Sequence, residues 1–310
     1  MKLVVALGGN ALGNTPEEQK MLVKSTAKAI VDLIEQGHSV VVTHGNGPQV
    51  GMINLAFETA SKSSENVPAM PFPECGAMSQ GYIGYHLQTA LQTELKNRNI
   101  SKPVAAVVTQ VVVDKNDKGF TNPTKPIGAY CDKAKAEKQE KESGYVMRDF
   151  GAKGFRRVVA SPLPVDIVEI GAVKTLLNND CVVITVGGGG IPVVKEGNEY
   201  EGVPAVIDKD FASALVAKLI DADELVILTA VDKVAVDFGK PTQKDLDILT
   251  VSEAEKYMNE DQFGKGSMQP KVTAAVNFVK SGKGKQAIIA NLEKAELAIK
   301  GKSGTKVING

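Results

Sequence analysis

Tryptophan is absent from this 310-residue sequence, and aromatic residues make up only 5% of it. That scarcity, set against thirty glycines, points to many tight turns and close backbone approaches, while the 43% hydrophobic content is enough to build a large core and argues against disorder. Three cysteines, Cys75, Cys131 and Cys181, are too few and too scattered for a disulfide framework or a zinc site. No stretch approaches the roughly 18–20 uninterrupted apolar residues of a bilayer span. The apolar run at the start is shorter than a signal sequence and is broken by Gly8 and Gly9. The expectation is a cytoplasmic protein with no membrane partner. An excess of either charge is lacking too: 36 Lys+Arg balance 36 Asp+Glu, which argues against nucleic acid as the main partner. Only four basic residues are arginines, Arg98, Arg148, Arg156 and Arg157. Phosphate chemistry here would fall to lysine, a mobile point charge rather than a planar fork.

Glycine, by contrast, is abundant, with thirty residues, and the chain alternates between strand-like and helix-like segments. Lys2–Leu7 reads as a buried strand ending at Gly8-Gly9-Asn10. Thr15, Pro16 and Glu18 form a capping box for a helix whose apolar face runs to Gly37. Ser39–Thr43 is a second strand, leading into His44-Gly45-Asn46-Gly47-Pro48-Gln49, where Pro48 opens another helix. Strand, crossover helix, strand is the parallel α/β unit. The pattern continues with a helix over 76–97, strand over 103–113, helix over 165–178 and a strand at Cys181–Val186 ending in Gly187–Gly190. A hairpin is expected around Glu196-Gly197-Asn198. After it come a helix at Asp210–Ile220, strand at Glu224–Thr229, helices at Ser252–Asn259 and Pro270–Lys280, and strand at Gln286–Ala290. Thr305–Ile308 is expected at a sheet edge. Residues 115–160 break the alternation, with a charged helical run at Lys133–Glu142, and read as an excursion from the core. Length alone suggests two domains, but one α/β domain over 1–310 with an inserted lid over 115–160 is the better expectation.

Three glycine-rich loops follow strands: Gly8-Gly9-Asn10, Gly45-Asn46-Gly47 and Gly187–Gly190. Loops at the carboxyl ends of parallel strands face a common crevice, and helices that start there add a positive dipole end. One such loop is ordinary turn geometry; three make phosphate binding an even prospect. A Walker-type loop is missing, since position 296 before Gly301-Lys302-Ser303 is Glu, and no Gly-x-Gly-x-x-Gly follows the first strand. The charged candidates are Lys125 in a proline-framed loop, Asp208-Lys209-Asp210, and Lys271 after Pro270. Asp208 or Asp210 could equally be a helix cap, and a single lysine is ordinarily a solvated surface group. The three histidines, His38, His44 and His86, suggest no nucleophile–base pair. A reaction without a general base is phosphoryl transfer to an oxygen that is already anionic, where catalysis reduces to positioning and charge stabilisation.

Six segments, taken in order along the whole chain, carry a resemblance. They are Gly8-Gly9-Asn10-Ala11-Leu12, His44–Gln49, Asn122-Pro123-Thr124-Lys125-Pro126-Ile127-Gly128, Gly187–Pro192, Val206–Asp210 and Gly266–Lys271. Together they resemble the carbamate kinases, a branch of the amino acid kinase family. The Asn-Pro-Thr-Lys-Pro-Ile-Gly element is the part specific to that branch. The resemblance implies an open αβα sandwich around a mainly parallel sheet, with a small protruding lid subdomain. It also implies a homodimer and reversible transfer between ATP and carbamate, giving ADP and carbamoyl phosphate with Mg²⁺, in the service of arginine catabolism and ATP generation. Carried over by motif, Lys209 and Lys271 would stabilise the transferring phosphoryl group, Asp210 would hold those lysines, and Lys125 would reach over the acceptor. Gly8, Gly9, Asn10, Gly45, Asn46 and Gly47 would cradle the carbamate and phosphoryl end. Gly187, Gly188, Ala230, Val231, Asp232, Met268 and Pro270 would serve the nucleotide, and no metal-ligating side chain is assigned. Acetylglutamate-type members carry a lysine in the first strand where this chain has Ala6, so the positive charge must come from elsewhere. The competing readings are a kinase for another carboxylate or a nucleoside monophosphate, which Lys125 disfavours, and a nucleotide sensor, which the complete lysine set disfavours.

Overall fold

Side chains along the strand Lys2–Leu7 alternate between two cores. Leu3, Val5 and Leu7 join a cluster with Val23 and Ile30 of the helix Pro16–Glu35 and with Ile83 and Leu87 of the helix Phe72–Asn97. Val4 and Ala6 join the other, with Ala212 and Val216 of the helix Lys209–Leu219 and Val272 and Val276 of the helix Met268–Val279. The period of two places alternate residues on opposite faces, and helices cover both, which is why the strands are apolar almost throughout. The result is an αβα sandwich.

This is a computed structural model, and it describes every residue except Gly9, Asn10, Ala11, Asn14 and Glu65. Its main sheet has eight strands in the order Ile248–Thr250, Thr305–Ile308, Gln286–Asn291, Glu224–Thr229, Lys2–Leu7, Ser39–His44, Val182–Ile184 and Val104–Ala106. Neighbours are parallel except where Gln286–Asn291 meets Thr305–Ile308. The capping box at Thr15 and Glu18 is formed, and Pro48 sits in the first turn of the helix Gly47–Ser63. The hairpin around Gly197 pairs Ile191–Glu196 with Glu199–Gly202.

Three expectations are corrected. Residues 103–113 are two strands in different sheets, Val104–Ala106 and Gln110–Val113. The chain turns between them at Thr109, whose N–H donates to Gln80 Oε1 and whose carbonyl accepts from Gln80 Nε2. Residues 165–178 are not helical throughout: Pro164–Ile167 is a strand paired with Val111–Val113, and the helix is Ile170–Asn178. Thr305–Ile308 is flanked on both sides, and the edge belongs to Ile248–Thr250, too short to announce itself by pattern.

Residues 115–160 contain a sheet of their own, Lys125–Cys131, Phe155–Val159 and Val146–Asp149, with the helix Lys133–Ser143 packed beside it. Only Ala136 of that helix is buried, so its charged run is a solvated face. The strand Lys125–Cys131 crosses the helix Gly47–Ser63 and brings Lys125 towards the carboxyl ends of the main-sheet strands.

Candidate active site

The helix Lys209–Leu219 begins where the hairpin chain returns to the sheet. Asp208 is its cap, Oδ1 accepting from the Asp210 N–H at 2.9 Å. The second oxygen of Asp208 accepts from Lys125 Nζ at 2.5 Å, tying the protruding segment to the helix start. Asp210 turns inward and is 3% exposed. Lys209 Nζ donates to its Oδ1 at 2.5 Å, and Lys271 Nζ, from the first turns of the helix Met268–Val279, donates to its Oδ2 at 2.8 Å. Three ammonium groups therefore face two carboxylates. All five line one cavity of about 230 Å³, together with Gly8.

Burial by itself would push the Asp210 carboxyl up, but Lys209 and Lys271 outweigh it and hold Asp210 well below the usual carboxylate range. Burial pulls the Lys209 ammonium below its ordinary value, and Asp210 acts in the opposite sense. The Lys209 carbonyl accepts from Ser213 Oγ, which also meets Thr43 Oγ1 at 2.6 Å, so the second strand fixes the first helical turn. Lys209 Cδ lies 3.4 Å from where a Cβ on Gly45 would stand, which places the second glycine loop beside the lysines. The first N–H groups of the helix Gly47–Ser63 have no partner within it, and that end favours an anion.

The structure sorts the remaining site residues. Lys125, Lys209, Asp210, Lys271, Gly8, Ala230 and Pro270 share the cavity. Gly9 and Asn10 lie outside the described residues. Asn46 directs its side-chain amide at Ser79 Oγ, 2.8 Å away, and packs on Gly188. Gly187 and Gly188 do not line the cavity. A Cβ on Gly187 would stand 2.5 Å from His44 Nε2, and one on Gly188, whose φ is +67°, 2.1 Å from Asn46 Nδ2. The third glycine loop thus backs the second, and no helix follows it, only the strand Ile191–Glu196. His44 is buried and neutral: burial lowers it to about 4, against its bond to the Gly45 carbonyl. Met268 packs against the core, and Asp232 pairs with Lys294. Val231 is half-buried beside it.

Asp208 is the functional residue the sequence reading left open. The motif Asp-Lys-Asp marks it as a cap, but its link to Lys125 spans 83 positions and carries no local signal. Among the described residues, no group of three or more His, Cys, Asp or Glu could hold a metal ion, and no helix is long and apolar enough to cross a membrane.

The sequence model of the amino acid kinase family matches residues 1–291. The chain belongs to the amino acid kinase family. A carbamate kinase-like protein of Escherichia coli, YqeA, is 57% identical over 306 residues, covering 99% of this chain and 98% of its own length. The carbamate kinase of Clostridium perfringens is 53% identical over 313 residues, covering 99% and 100%. Among solved structures, the carbamate kinase of Giardia lamblia bound to AMP-PNP superposes with a TM-score of 0.90 at 40% identity, covering 99% of this chain and 98% of that one. Ala6 in the first strand is buried and brings no charge to the site, and the cations that line this cavity are Lys125, Lys209 and Lys271.

Proposed function

We propose that this chain is an ATP-dependent carbamate kinase, transferring a phosphoryl group reversibly between ATP and carbamate to give ADP and carbamoyl phosphate. The observation that carries this reading is the convergence of Lys125, Lys209 and Lys271 on one small cavity with Asp210 between two of them. The full-length likeness to carbamate kinases supports the acceptor.

The chemistry follows from charge. Carbamate presents an oxygen with no proton to lose, so no general base is required, and the one nearby imidazole, His44, is buried and neutral. The phosphoryl group carries negative charge on its equatorial oxygens as it passes from donor to acceptor. Ammonium groups held in place by Asp208 and Asp210 replace water around it with fixed positive charge. Losing one such donor raises a barrier by about 3–4 kcal/mol. Gly8 and the loop Gly45–Gly47 are assigned to the acceptor end, with Gly9 and Asn10. Ala230, Val231, Asp232, Met268 and Pro270 are assigned to the nucleotide. Gly187 and Gly188 would act through His44 and Asn46. Mg²⁺ would enter on the nucleotide phosphates and neutralise part of their charge, since Asp208 and Asp210 are both occupied by lysines.

We also propose a homodimer in the cytoplasm, acting in arginine breakdown towards ATP, with residues 115–160 closing over the site as a lid. The test of the activity is ATP formed from ADP and carbamoyl phosphate and, in the opposite direction, ADP formed from ATP with carbamate, acetylglutamate, aspartate or UMP as acceptor. ATP formation from carbamoyl phosphate with carbamate the preferred acceptor supports the reading; a preferred acceptor other than carbamate overturns it.

A further inference from the structure

A second, larger cleft, of about 660 Å³, opens between the helix Gly47–Ser63 and the small sheet of residues 125–159. Asn54 and Glu58 line it from the helix, and Lys135, Tyr145, Arg156 and Arg157 from the protruding segment. Two of the four arginines in the chain therefore face one cleft.

Their surroundings differ from those of Arg98, which holds Asp32, Glu35 and Glu94. None of the ion pairs among the described residues includes Arg156, Arg157 or Lys135. Among the described residues the one carboxylate in the cleft, Glu58, is already engaged by Lys62 at 2.8 Å, by the Tyr145 hydroxyl at 2.7 Å and by Ser143. The lining thus carries three cations against one carboxylate that another lysine neutralises.

Arg157 is half-buried, with its guanidinium carbon 3.4 Å from the centre of the Tyr145 ring and 5.7 Å from that of Phe72. Arg156 lies 5.1 Å over Tyr130, and its Nε donates to the Gly128 carbonyl at 2.8 Å. Stacking uses the face of a guanidinium and leaves its in-plane N–H donors for an acceptor. Arg157 gives one of these to Asn54 Oδ1 at 2.9 Å. Burial pulls the Arg157 guanidinium below its ordinary pKa, and Tyr145 and Glu58 act in the opposite sense without cancelling it.

We propose that this cleft is a second anion site, which takes a small di- or tricarboxylate between the guanidinium forks and Lys135. Carboxylates are planar and match the fork in two-point contact. Such a ligand would bridge the helix that begins at the Gly45–Gly47 loop and the segment that carries Lys125, and so would hold the two together.

Binding can be measured without catalysis, so the proposal stands or falls separately from the phosphoryl-transfer reading. The probe is tricarballylate, titrated by calorimetry into the full chain at low salt, with inorganic phosphate as the comparison. The expected result is binding to the wild type and to K271A with affinities within twofold of each other, and at least tenfold weaker binding to R157K at an unchanged melting temperature. K135Q alters only an exposed helical side chain; it keeps the test open should R157K fail to fold, and a severalfold weakening is expected. No binding in the millimolar range would overturn the proposal. So would loss in K271A without change in R157K or K135Q, because the ligand would then occupy the lysine cavity. Equal affinity for phosphate would overturn the carboxylate assignment.

Discussion

Lys209 and Lys271 grip opposite oxygens of one carboxylate, that of Asp210. The two ammonium groups are held near each other only because Asp210 stands between them, in a place 3% exposed to solvent. Asp210 is in this sense the keystone of the cavity. Replacing it with Asn leaves two cations facing each other, and Lys209 is already held below its ordinary value by burial. Without the carboxylate its value falls further. D210N should therefore lose activity by about 100-fold or more at neutral pH, and regain part of it as pH is lowered and Lys209 takes up its proton. A pH–rate profile decides: an equal loss at every pH would show that Asp210 does not act through the lysines.

The lysines themselves are predicted to act on the transfer step. K209A and K271A should each lose most of kcat, by about 100- to 1,000-fold, with the secondary structure by circular dichroism unchanged. Full activity in either variant would remove that lysine from the mechanism.

Gly51 governs how the protruding segment docks. It sits inside the helix Gly47–Ser63, and a Cβ placed on it would stand 2.5 Å from Gly128 N and 2.6 Å from Gly128 Cα. Gly128 lies three positions beyond Lys125 in the same strand. In an exposed helix, Ala in place of Gly stabilises by about 0.5–1 kcal/mol, so a harmful effect of G51A has to come from this contact. The expected outcome is a kcat reduced at least tenfold, with helical content unchanged. Wild-type kcat in G51A would show that Lys125 does not depend on this backbone contact.

What could be read from the sequence follows the range of the interactions. The capping box of Thr15 and Glu18 spans three residues, and the strand Glu224–Thr229 is bounded as its apolar run predicts. Both depend on neighbours in the chain. The Lys271–Asp210 contact spans 61 positions and the Lys125–Asp208 contact 83; no periodicity encodes either, and the grouping of these lysines came from the resemblance. The role of Gly187–Gly190 is not legible in the sequence for a different reason. A glycine run after a strand looks the same whether a phosphate or a side chain fills the space, and here His44 and Asn46 fill it. Pro164–Ile167 does not stand out from the helix that follows it because its antiparallel partner, Val111–Val113, lies about fifty residues upstream in the sequence.

Residues 115–160 are anchored to the core through Lys125 and Asp208, and their own sheet shares no strand with the eight-stranded one. If they close over bound nucleotide, a protease should cut this segment faster in the free protein than in the presence of ADP and Mg²⁺. The measurement is the rate of appearance of fragments with ends between 115 and 160. Equal rates with and without nucleotide would count against a lid.

The last prediction concerns a group remote from the site. Glu224 begins its strand almost wholly buried, with Gln286 and Lys306 the groups that act on its carboxyl from nearby strands. Burial raises its value from 4.5 to about 7, and the charge of Lys306 only partly opposes this. The folded protein therefore keeps a proton that the unfolded chain has lost between those two values. Where the native state binds more protons, stability falls as pH rises. The contribution of Glu224 is thus fully present below about pH 4.5, declines through the interval and is gone above about 7, a difference of roughly 3 kcal/mol at most. E224Q removes the titrating group while keeping its shape. In the wild type, this group should lower the midpoint of urea unfolding between pH 5 and 7.5, and E224Q should be less sensitive to pH over that range. The same pH dependence in both proteins would mean that Glu224 is solvated or paired in solution.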